Sequence, residues 1–299
     1  MNISFTIFTP TYNRAHTLPR VYESLVKQTS KNFEWLIVDD GSTDDTQTLI
    51  KGYIEENKFP IRYYKQSNQG KHIAINNALL LAKNEFMITL DSDDYLVNSC
   101  IETCNEIALK IEKDEKCGGF TYIHFSEQYP IDKTKYGQKE WTEVNSYDWE
   151  FPGEMSFVFK TKIAKKYPFP VYKNEKFCQE SVMLIPITEK YKILFTDHVL
   201  AHGDYLEDGL SQNLYRKLIK NPNYALLSFR QKMKISKSNN EKQIIAYSYW
   251  DIFLKNKRHK DVLYLFFNTL LNFPIKWTLF VFVNKVKKKL MLFLPTDKS

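Results

Sequence analysis

Three carboxylates lie within four residues in the segment TLDSDDY, residues 89–95, directly after a run of apolar residues. Like charges this close repel one another, so the cluster needs solvent or a counter-charge. One interpretation is a solvated turn whose Asp and Ser side chains cap the next helix. The other is a divalent-cation site, because Mg²⁺ and Mn²⁺ bind carboxylate oxygens together with substrate phosphates. The segment alone leaves both interpretations open.

A second acidic pair, Asp39-Asp40, ends another apolar run upstream. A helix cap explains it, particularly for Asp39. Alternatively, a carboxylate here accepts a hydrogen bond from the N–H of a nucleobase, with the ring of Tyr12 as a flat stacking surface. This pair does not decide between the two roles either.

Both acidic segments follow elements that a parallel sheet would contain. The runs ISFTIFTP, residues 3–10, and EFMITL, residues 85–90, indicate strands buried on both faces. Helical periodicity separates these strands in units of about 30 residues, which predicts a three-layer, parallel α/β domain. Ligands bind at the carboxyl ends of such strands. The segments TPTYNR, DDGST and DSDD are therefore expected at one edge of the sheet.

The composition indicates one large domain with an appendage. The chain has 299 residues, of which 43% are hydrophobic, enough for a sizeable core. Four cysteines lack metal-site spacing and are too few for a disulfide framework, so we expect reduced, mostly buried thiols. The N-terminal residues show no secretory signal, which favours a cytoplasmic location.

Charge divides the sequence near residue 211. Residues 1–211 carry 24 Lys and Arg against 31 Asp and Glu, whereas residues 212–299 carry 18 against 4. We therefore predict a catalytic domain over 1–211 and a helical, basic C-terminal region over 212–299. A basic surface of this kind favours nucleic acid or anionic lipid.

Three longer segments together resemble the family 2 glycosyltransferases, which have the GT-A fold. These segments are FTPTYNRAHTLPRVYESLVKQTSKNFEWLIVDDGSTDDT, NQGKHIAINNAL and MITLDSDDY. The resemblance is close over residues 1–100, the nucleotide-binding half, and patchier over 101–211, the acceptor half. It implies transfer of a hexosyl or N-acetylhexosaminyl group from a nucleotide-diphosphate donor, usually UDP-linked, with inversion and with Mg²⁺ or Mn²⁺ as cofactor.

The resemblance also implies roles for individual residues in donor binding. Pro10, Tyr12 and Asp40 match the positions that hold uracil. Asn68 and Lys71 match positions that contact the donor nucleoside and phosphates.

Metal binding is implied for the acidic run. Asp91 and Asp93 match the DxD motif, with Asp93 or Asp94 nearest the cation. His202, in the segment AHGDYLEDGLSQN, is a further candidate ligand, although a lone histidine after an apolar run is more often structural. Ser211, in the same segment, is a candidate donor contact.

An inverting transfer needs a base to take the proton of the acceptor hydroxyl. Family members use the last acid of an ED-like pair at a helix start, and the matching segment here is EKFCQESVM. Glu180 is therefore the candidate base, with Glu175 as the alternative. The replacement of ED by Gln179-Glu180 departs from the family pattern, and an ordinary first-turn glutamate is the competing interpretation.

The tail over 262–294 combines aromatic and aliphatic residues with four lysines near its end. A Pro and a Lys interrupt its apolar run, so a spanning helix is disfavoured and an interfacial position on an anionic membrane is favoured. A helical cap on the catalytic domain and a dimerisation helix, giving a homodimer, are the alternatives. Its aromatics are interleaved with aliphatics, which argues against nucleic acid.

The sequence therefore favours a glycosyltransferase that builds a surface polysaccharide. Its expected partners are a nucleotide-sugar donor and a saccharide or lipid-linked saccharide acceptor, at the inner face of the cell membrane. A nucleotidyltransferase would need a glycine-rich phosphate loop, which TPTYNR lacks, and a non-catalytic membrane adaptor is the remaining alternative. The absence of GxGxxG after the first strand disfavours a dinucleotide-binding dehydrogenase.

Overall fold

The computed structural model describes residues 3–128, 131, 142–144, 154–203, 213–256, 274–281 and 283. Two compact units make up the chain, Met1–Asn213 and Leu214–Ser299. The first unit contains a central sheet with helices interleaved along the sequence, which confirms the predicted α/β class.

Nine strands in the described part of the chain form one sheet. They are β1 (Phe5–Thr11), β2 (Phe33–Asp39), β3 (Ile61–Lys65), β4 (Phe86–Thr89), β5 (Asp94–Leu96), β6 (Cys117–Phe125), β7 (Thr142–Val144), β8 (Glu154–Lys160) and β9 (Lys192–Gly203). Almost every residue of β1 and β2 is buried, which explains why these strands are continuous apolar runs rather than alternating ones.

Helices connect the strands of the first unit and make up the described part of the second. They are α1 (Leu18–Val26), α2 (Thr46–Glu56), α3 (Lys71–Leu81), α4 (Cys100–Ile111), α5 (Thr161–Ala164), α6 (Ser181–Thr188), α7 (Leu214–Lys220), α8 (Pro222–Ile235) and α9 (Asn239–Lys255). Helix α1 begins with Pro at its second position and buries the apolar face that its sequence period predicts.

The strand order is β3-β2-β1-β4-β8-β6-β9-β5, with β7 paired to β9. Strands β1, β2, β3 and β4 are mutually parallel, so their carboxyl ends lie along one side, which we call the sheet edge. Strand β8 runs antiparallel to β4 and β6, and β5 runs antiparallel to β9. The short strand β5 brings the end of the acidic run alongside the end of β9.

An aromatic cluster packs α1 and α2 on the sheet beneath the first two strand ends. The rings of Tyr22 and Tyr53 stack at 3.8 Å, and fully buried Trp35 lies beside them. The indole Nε1–H of Trp35 donates to Thr9 Oγ1 at 2.9 Å, so its polar atom is satisfied. Fully burying a large apolar side chain contributes roughly 2 kcal/mol. The cluster therefore holds β1 and β2 in fixed register below the sheet edge.

Helix α6 continues through Pro186 and ends at Thr188, because only one helical hydrogen bond is lost near a helix end. The segment after α6 forms the single strand β9, Lys192–Gly203.

The cysteines follow the prediction. All four are free thiols; Cys100, Cys104 and Cys117 are buried and Cys178 is half-buried.

The second unit is helical where it is described. Aromatic side chains of α9 contact one another, with Trp250 and Phe253 ring centroids 5.0 Å apart. Residues 275–281 form a further helical turn, and Phe280 contacts Tyr247 at 5.7 Å between centroids. Most of the predicted membrane-contact segment, 262–273, 282 and 284–294, lies outside the described residues.

Among the described residues, each helix is too short or too polar to cross a membrane.

Candidate active site

The loops after β1 and β2 are joined by hydrogen bonds at the sheet edge. The backbone N–H of Asn13 donates to Ser42 Oγ at 2.8 Å, and the N–H of Thr43 donates to Asn13 Oδ1 at 2.8 Å. Asn13 has a φ of 53°, a conformation that Asn tolerates better than most residues. Tyr12 lies between Pro10 and Asn13 in the sequence, and 47% of its surface is exposed. Its ring is thus available as a flat surface beside the bridge.

Asp39 and Asp40 are both buried but have different partners. Asp39 accepts hydrogen bonds from the backbone N–H of Ser42 at 2.7 Å and from the Tyr63 hydroxyl. Burial raises the pKa of Tyr63, and the bond to Asp39 raises it further, so the phenol remains a proton donor. Asp39 therefore fixes the turn after β2.

Asp40 organises the loop between β3 and α3. Its Oδ1 accepts from Gln66 Nε2 at 2.8 Å and from the backbone N–H of Gln69 at 2.7 Å. Its Oδ2 accepts from the N–H of Gly70 at 2.7 Å. A carboxylate has about four lone-pair positions, so these three donors satisfy most of its accepting capacity.

Gly70 allows a second loop to approach the start of α3. A Cβ at this position would lie 2.0 Å from the backbone oxygen of Lys176, and the φ of 98° also disfavours other residues. The Nζ of Lys176 in turn donates to Asn68 Oδ1 at 2.9 Å. Asn68, a predicted donor contact, is thereby held against the segment that precedes Glu180.

Lys71, the first residue of α3, joins two acids from distant parts of the sequence. Its Nζ lies 2.8 Å from Asp91 Oδ2 and 2.7 Å from Glu180 Oε1. Burial lowers the pKa of Lys71, but the charges of Asp91 and Glu180 outweigh it and raise the pKa overall. The structure thus brings together a residue of the acidic run, a predicted phosphate contact and the candidate base.

The three carboxylates of the acidic run converge. Asp91, Asp93 and Asp94 each offer one oxygen, and these oxygens lie within 4.8 Å of one another. The Oδ1 of Asp91 is buried and has no hydrogen-bond partner among the described residues. An unpartnered buried carboxylate oxygen beside two others fits a hard divalent cation. Asp91, Asp93 and Asp94 could therefore hold Mg²⁺ or Mn²⁺.

A buried histidine on β6 contacts the same cluster. His124 Nε2 lies 3.1 Å from Asp94 Oδ1, and its Nδ1 lies 3.6 Å from Glu154 Oε2. Gly203 faces Asp94 across the β5–β9 pair, and a Cβ there would lie 1.8 Å from Asp94 Oδ1. The missing side chain at Gly203 therefore makes room for the contact between His124 and Asp94.

The protonation of this cluster follows from burial and neighbouring charge. Burial raises the pKa of Asp94 to about 6, with Asp91 and Asp93 adding to the rise and His124 opposing it. Burial lowers the pKa of His124, but Asp94 and Glu154 outweigh it and raise that pKa to about 10. Burial and the charge of Asp91 also raise the pKa of Asp93. A cationic His124 beside Asp94 is thus the stable pairing at neutral pH.

His202 lies next to the cluster but faces another group. It is opposite Tyr95 in the β5–β9 pair, and the two rings stack at 5.4 Å. Successive side chains of a strand point to opposite faces, so a residue opposite Tyr95 does not share the face of Asp94. Ser211, the other candidate from this segment, lies outside the described residues.

A cavity of about 130 Å³ opens beside Asp91 and Glu180. Its apolar walls come from α3, α6, β4 and β8 and include Leu79 and Met183, which are 3% and 7% exposed. Its polar rim includes Glu154, whose side chain is 45% exposed, together with Asp91 and Glu180. We call this space the inner cavity.

Sequence reasoning did not identify His124 as a site residue. The histidine belongs to the strand-like segment FTYIHF, and nothing in that segment distinguishes it from a core residue. Its contact with Asp94 depends on a register shift between Ile123 and His124 in the β6–β9 pair. Such irregularities have no local sequence signal.

Comparison with known families gives one match over more than half of the chain. Residues 6–167 match the family model described as glycosyl transferase family 2. The matched span contains β1 to β8 and the acidic run, but it ends before Glu180.

Two relatives are similar to this chain in sequence, and the chain covers different shares of their lengths. An uncharacterized glycosyltransferase of Rickettsia felis is 36% identical over 131 residues, 44% of this chain and 20% of that protein, so the chain spans about a fifth of its length. A GalNAc(5)-diNAcBac-PP-undecaprenol beta-1,3-glucosyltransferase of Campylobacter jejuni is 26% identical over 262 residues, 82% of this chain and 80% of that protein.

Solved structures share the fold. S. aureus TarS 1-349 in complex with UDP-GlcNAc has a TM-score of 0.57 at 18% identity, covering 87% of this chain and 75% of that one. Mannosyltransferase PcManGT from Pyrobaculum calidifontis, in complex with GDP-Man and Mn²⁺, has a TM-score of 0.54 at 16% identity, covering 94% and 84%. These likenesses confirm the predicted GT-A architecture.

Proposed function

The chain belongs to glycosyl transferase family 2, and we propose that it transfers a sugar from a UDP-sugar to an acceptor hydroxyl, with inversion at the anomeric carbon. The observation that carries the proposal is the bridge made by Lys71. One ammonium group lies 2.8 Å from Asp91 and 2.7 Å from Glu180. The candidate base thus lies next to the acidic run that would hold the donor diphosphate through a cation.

For donor binding, we assign the exposed ring of Tyr12 and the adjacent Pro10 to the nucleobase. Asp40 acts in this assignment through the 66–70 loop, because its oxygens already accept from Gln66, Gln69 and Gly70. Asn68 belongs to the same loop. The half-exposed Tyr12 supports the assignment, since nucleobases stack on exposed aromatic faces.

For metal binding, we assign Asp91, Asp93 and Asp94, whose oxygens converge within 4.8 Å. When bound, Mn²⁺ or Mg²⁺ would neutralise the charge that develops on the leaving diphosphate. His202 is left out of this assignment because its ring stacks on Tyr95. The Mn²⁺ and GDP-Man in the mannosyltransferase of the same fold support the assignment.

For the chemical step, we assign the base to Glu180. Its carboxylate takes the proton of the acceptor hydroxyl as that oxygen forms a bond to the anomeric carbon. The bond from the anomeric carbon to the diphosphate oxygen breaks at the same time, and its electrons leave with UDP. Lys71 orients Glu180 before the step, because the two groups form an ion pair.

For the acceptor, we propose a saccharide carried on a lipid at an anionic membrane surface. The Campylobacter jejuni relative is named for an undecaprenol-linked substrate. In the second unit, Ile275, Leu279 and Val283 are spaced by four residues and are 59%, 59% and 50% exposed. An exposed apolar stripe in a basic region supports interfacial binding.

The test is UDP-sugar binding and turnover by the full chain. Isothermal titration with UDP, with and without Mn²⁺, should give binding that depends on the metal. A panel of UDP-sugars should then give slow metal-dependent UDP release in the absence of acceptor. Failure to bind any nucleotide sugar, in protein whose circular dichroism shows the α/β fold, would overturn the proposal.

A further inference from the structure

The inner cavity has no role in the reaction as assigned above. The cation and the base account for Asp91 and Glu180 at its rim, but not for Glu154 or for the apolar part of its wall. One part of its wall is apolar and buried, formed by Leu79, Met87 and Met183, which are 3%, 5% and 7% exposed, whereas Thr89 and Ser156 are polar parts of the lining. A pocket that combines an apolar wall with polar groups and opens directly onto reacting groups is a binding site for part of a ligand.

Its size limits the occupant to a small group. A dry apolar cavity of about 150 Å³ in another protein accommodates one benzene molecule. The inner cavity, at about 130 Å³, therefore has room for a substituent of a few heavy atoms and not for a whole sugar ring. A hydroxyl group would leave the apolar part of the wall, formed by Leu79, Met87 and Met183, without an apolar contact from the ligand.

The chemistry of the rim specifies the substituent further. Glu154 and Glu180 present partly exposed carboxylates, 45% and 55% accessible, at the opening. Carboxylates accept hydrogen bonds from N–H groups. A group with an N–H at its base and a methyl at its tip matches a rim that accepts hydrogen bonds and the apolar part of the wall at Leu79 and Met183.

We propose that the inner cavity binds the acetamido group of an N-acetylated sugar held at the reaction site. The proposal rests on the proposed function and names its substrate class. The acetamido methyl contacts Leu79 and Met183, and the N–H donates to Glu154. The sugar that carries this group is either the transferred residue or the terminal residue of the acceptor.

Two binding experiments on the full chain with Mn²⁺ distinguish these sources. In the donor experiment, titration calorimetry compares UDP-N-acetylglucosamine and UDP-N-acetylgalactosamine with UDP-glucose and UDP-galactose. In the acceptor experiment, ligand-observed NMR with UDP present compares methyl glycosides of N-acetylglucosamine and N-acetylgalactosamine with those of glucose and galactose. In one of the two, the acetamido sugar should bind about 10- to 100-fold more tightly, from one buried methyl and one charge-assisted hydrogen bond.

A cavity-filling variant with a matched control tests the assignment. Leu79→Phe adds a larger side chain to the wall and should abolish the preference. Leu80→Phe, the next residue of the same helix, is 78% exposed and should keep it. Glu154→Ala should reduce the preference by removing the acceptor at the rim, and because Glu154 is exposed it avoids the folding risk of a core change.

Binding of UDP alone is measured for every variant and separates the outcomes. If UDP binds but neither experiment shows a preference above about threefold, the acetamido proposal is overturned and the proposed function stands. The same holds if Leu79→Phe binds UDP and keeps the preference of the unmodified chain. Absence of UDP binding in the unmodified chain overturns the proposed function itself.

Discussion

The sheet edge and the C-terminal region carry charge in different ways. At the sheet edge, individual carboxylates have individual partners: Asp91 pairs with Lys71 at 2.8 Å and Asp94 with His124 at 3.1 Å. Residues 212–299 instead carry 18 basic against 4 acidic residues, an excess spread over the sequence. One substitution at the sheet edge removes a partner from a specific pair and should therefore have a large effect on binding or transfer. One substitution in the C-terminal region should change only the total charge or apolar area of that region.

The largest effect is expected for Glu180→Gln. Loss of the general base should slow sugar transfer by about 10²- to 10⁴-fold, measured by UDP release with acceptor present. UDP binding should remain within about threefold, because the amide still accepts a hydrogen bond from Lys71. Glu175→Gln is the matched control and should retain transfer. A greater loss of transfer in Glu175→Gln would reassign the base.

Asp93→Ala tests the metal site at the same edge. Removing one of three converging carboxylates should weaken Mn²⁺-dependent UDP binding by roughly 100-fold or more, measured by calorimetry with and without the metal. The control is Asp197→Ala, which removes an exposed carboxylate from β9. Equal metal dependence in the two variants would contradict the assignment of Asp93.

His124→Asn tests a residue that contacts Asp94, one of the three carboxylates of the proposed metal site, but is not itself assigned as a metal ligand. Loss of the contact with Asp94 should weaken Mn²⁺ affinity by about 10- to 100-fold, because groups that orient metal ligands have effects of this size. Electron paramagnetic resonance of free Mn²⁺ measures the affinity without any turnover. Unchanged affinity would limit His124 to a structural role.

Leu279→Glu examines the C-terminal region. Removing one leucine from the exposed stripe and adding a negative charge should reduce binding to anionic vesicles by about tenfold. Val171→Glu makes the same change at a 70% exposed site in the first unit and should have no effect. Equal vesicle binding by Leu279→Glu and the unmodified chain would disprove membrane contact through this stripe.

His72 provides the smallest test, because burial shifts the pKa of this histidine. Burial lowers its pKa to about 4, in contrast to the rise at His124. Since the unfolded chain takes up this proton near pH 6.5 and the folded chain does not, stability falls as pH drops below 6.5. At pH 5.5 the expected loss is about 1.4 kcal/mol.

Urea denaturation at pH 7.5 and 5.5 measures that loss as a change in the free energy of unfolding. His72→Gln should show less of the difference between the two pH values than the unmodified chain. His16→Gln, at an exposed position, should match the unmodified chain. An unchanged difference in His72→Gln would mean that other groups cause the acid sensitivity.

The sequence was sufficient to predict which polar segments would lie together at the carboxyl ends of the strands. Continuous apolar runs identified β1, β2 and β4, and parallel strands necessarily place their carboxyl ends together, so the convergence of 10–14, 39–44 and 91–94 could be anticipated. That inference needed only strand direction, which local patterns encode.

Contacts that depend on side-chain packing could not be predicted in the same way. The bridge from Lys71 to Glu180 depends on how closely the loop before α6 approaches α3, which Gly70 permits. The pairing of His124 with Asp94 depends on a register shift in β6 and β9. Neither a close approach nor a register shift leaves a periodic signal in the residues involved.

Gly203 has a consequence for mutational tolerance. It has no functional group, and replacing it by alanine would alter neither the charge nor the polarity of the chain. An alanine would nevertheless place a methyl 1.8 Å from Asp94 Oδ1 and 2.9 Å from His124 Nε2, distances that no Cβ occupies. A saturation scan scored for transfer should therefore record residue 203 as one of the least replaceable positions of β9.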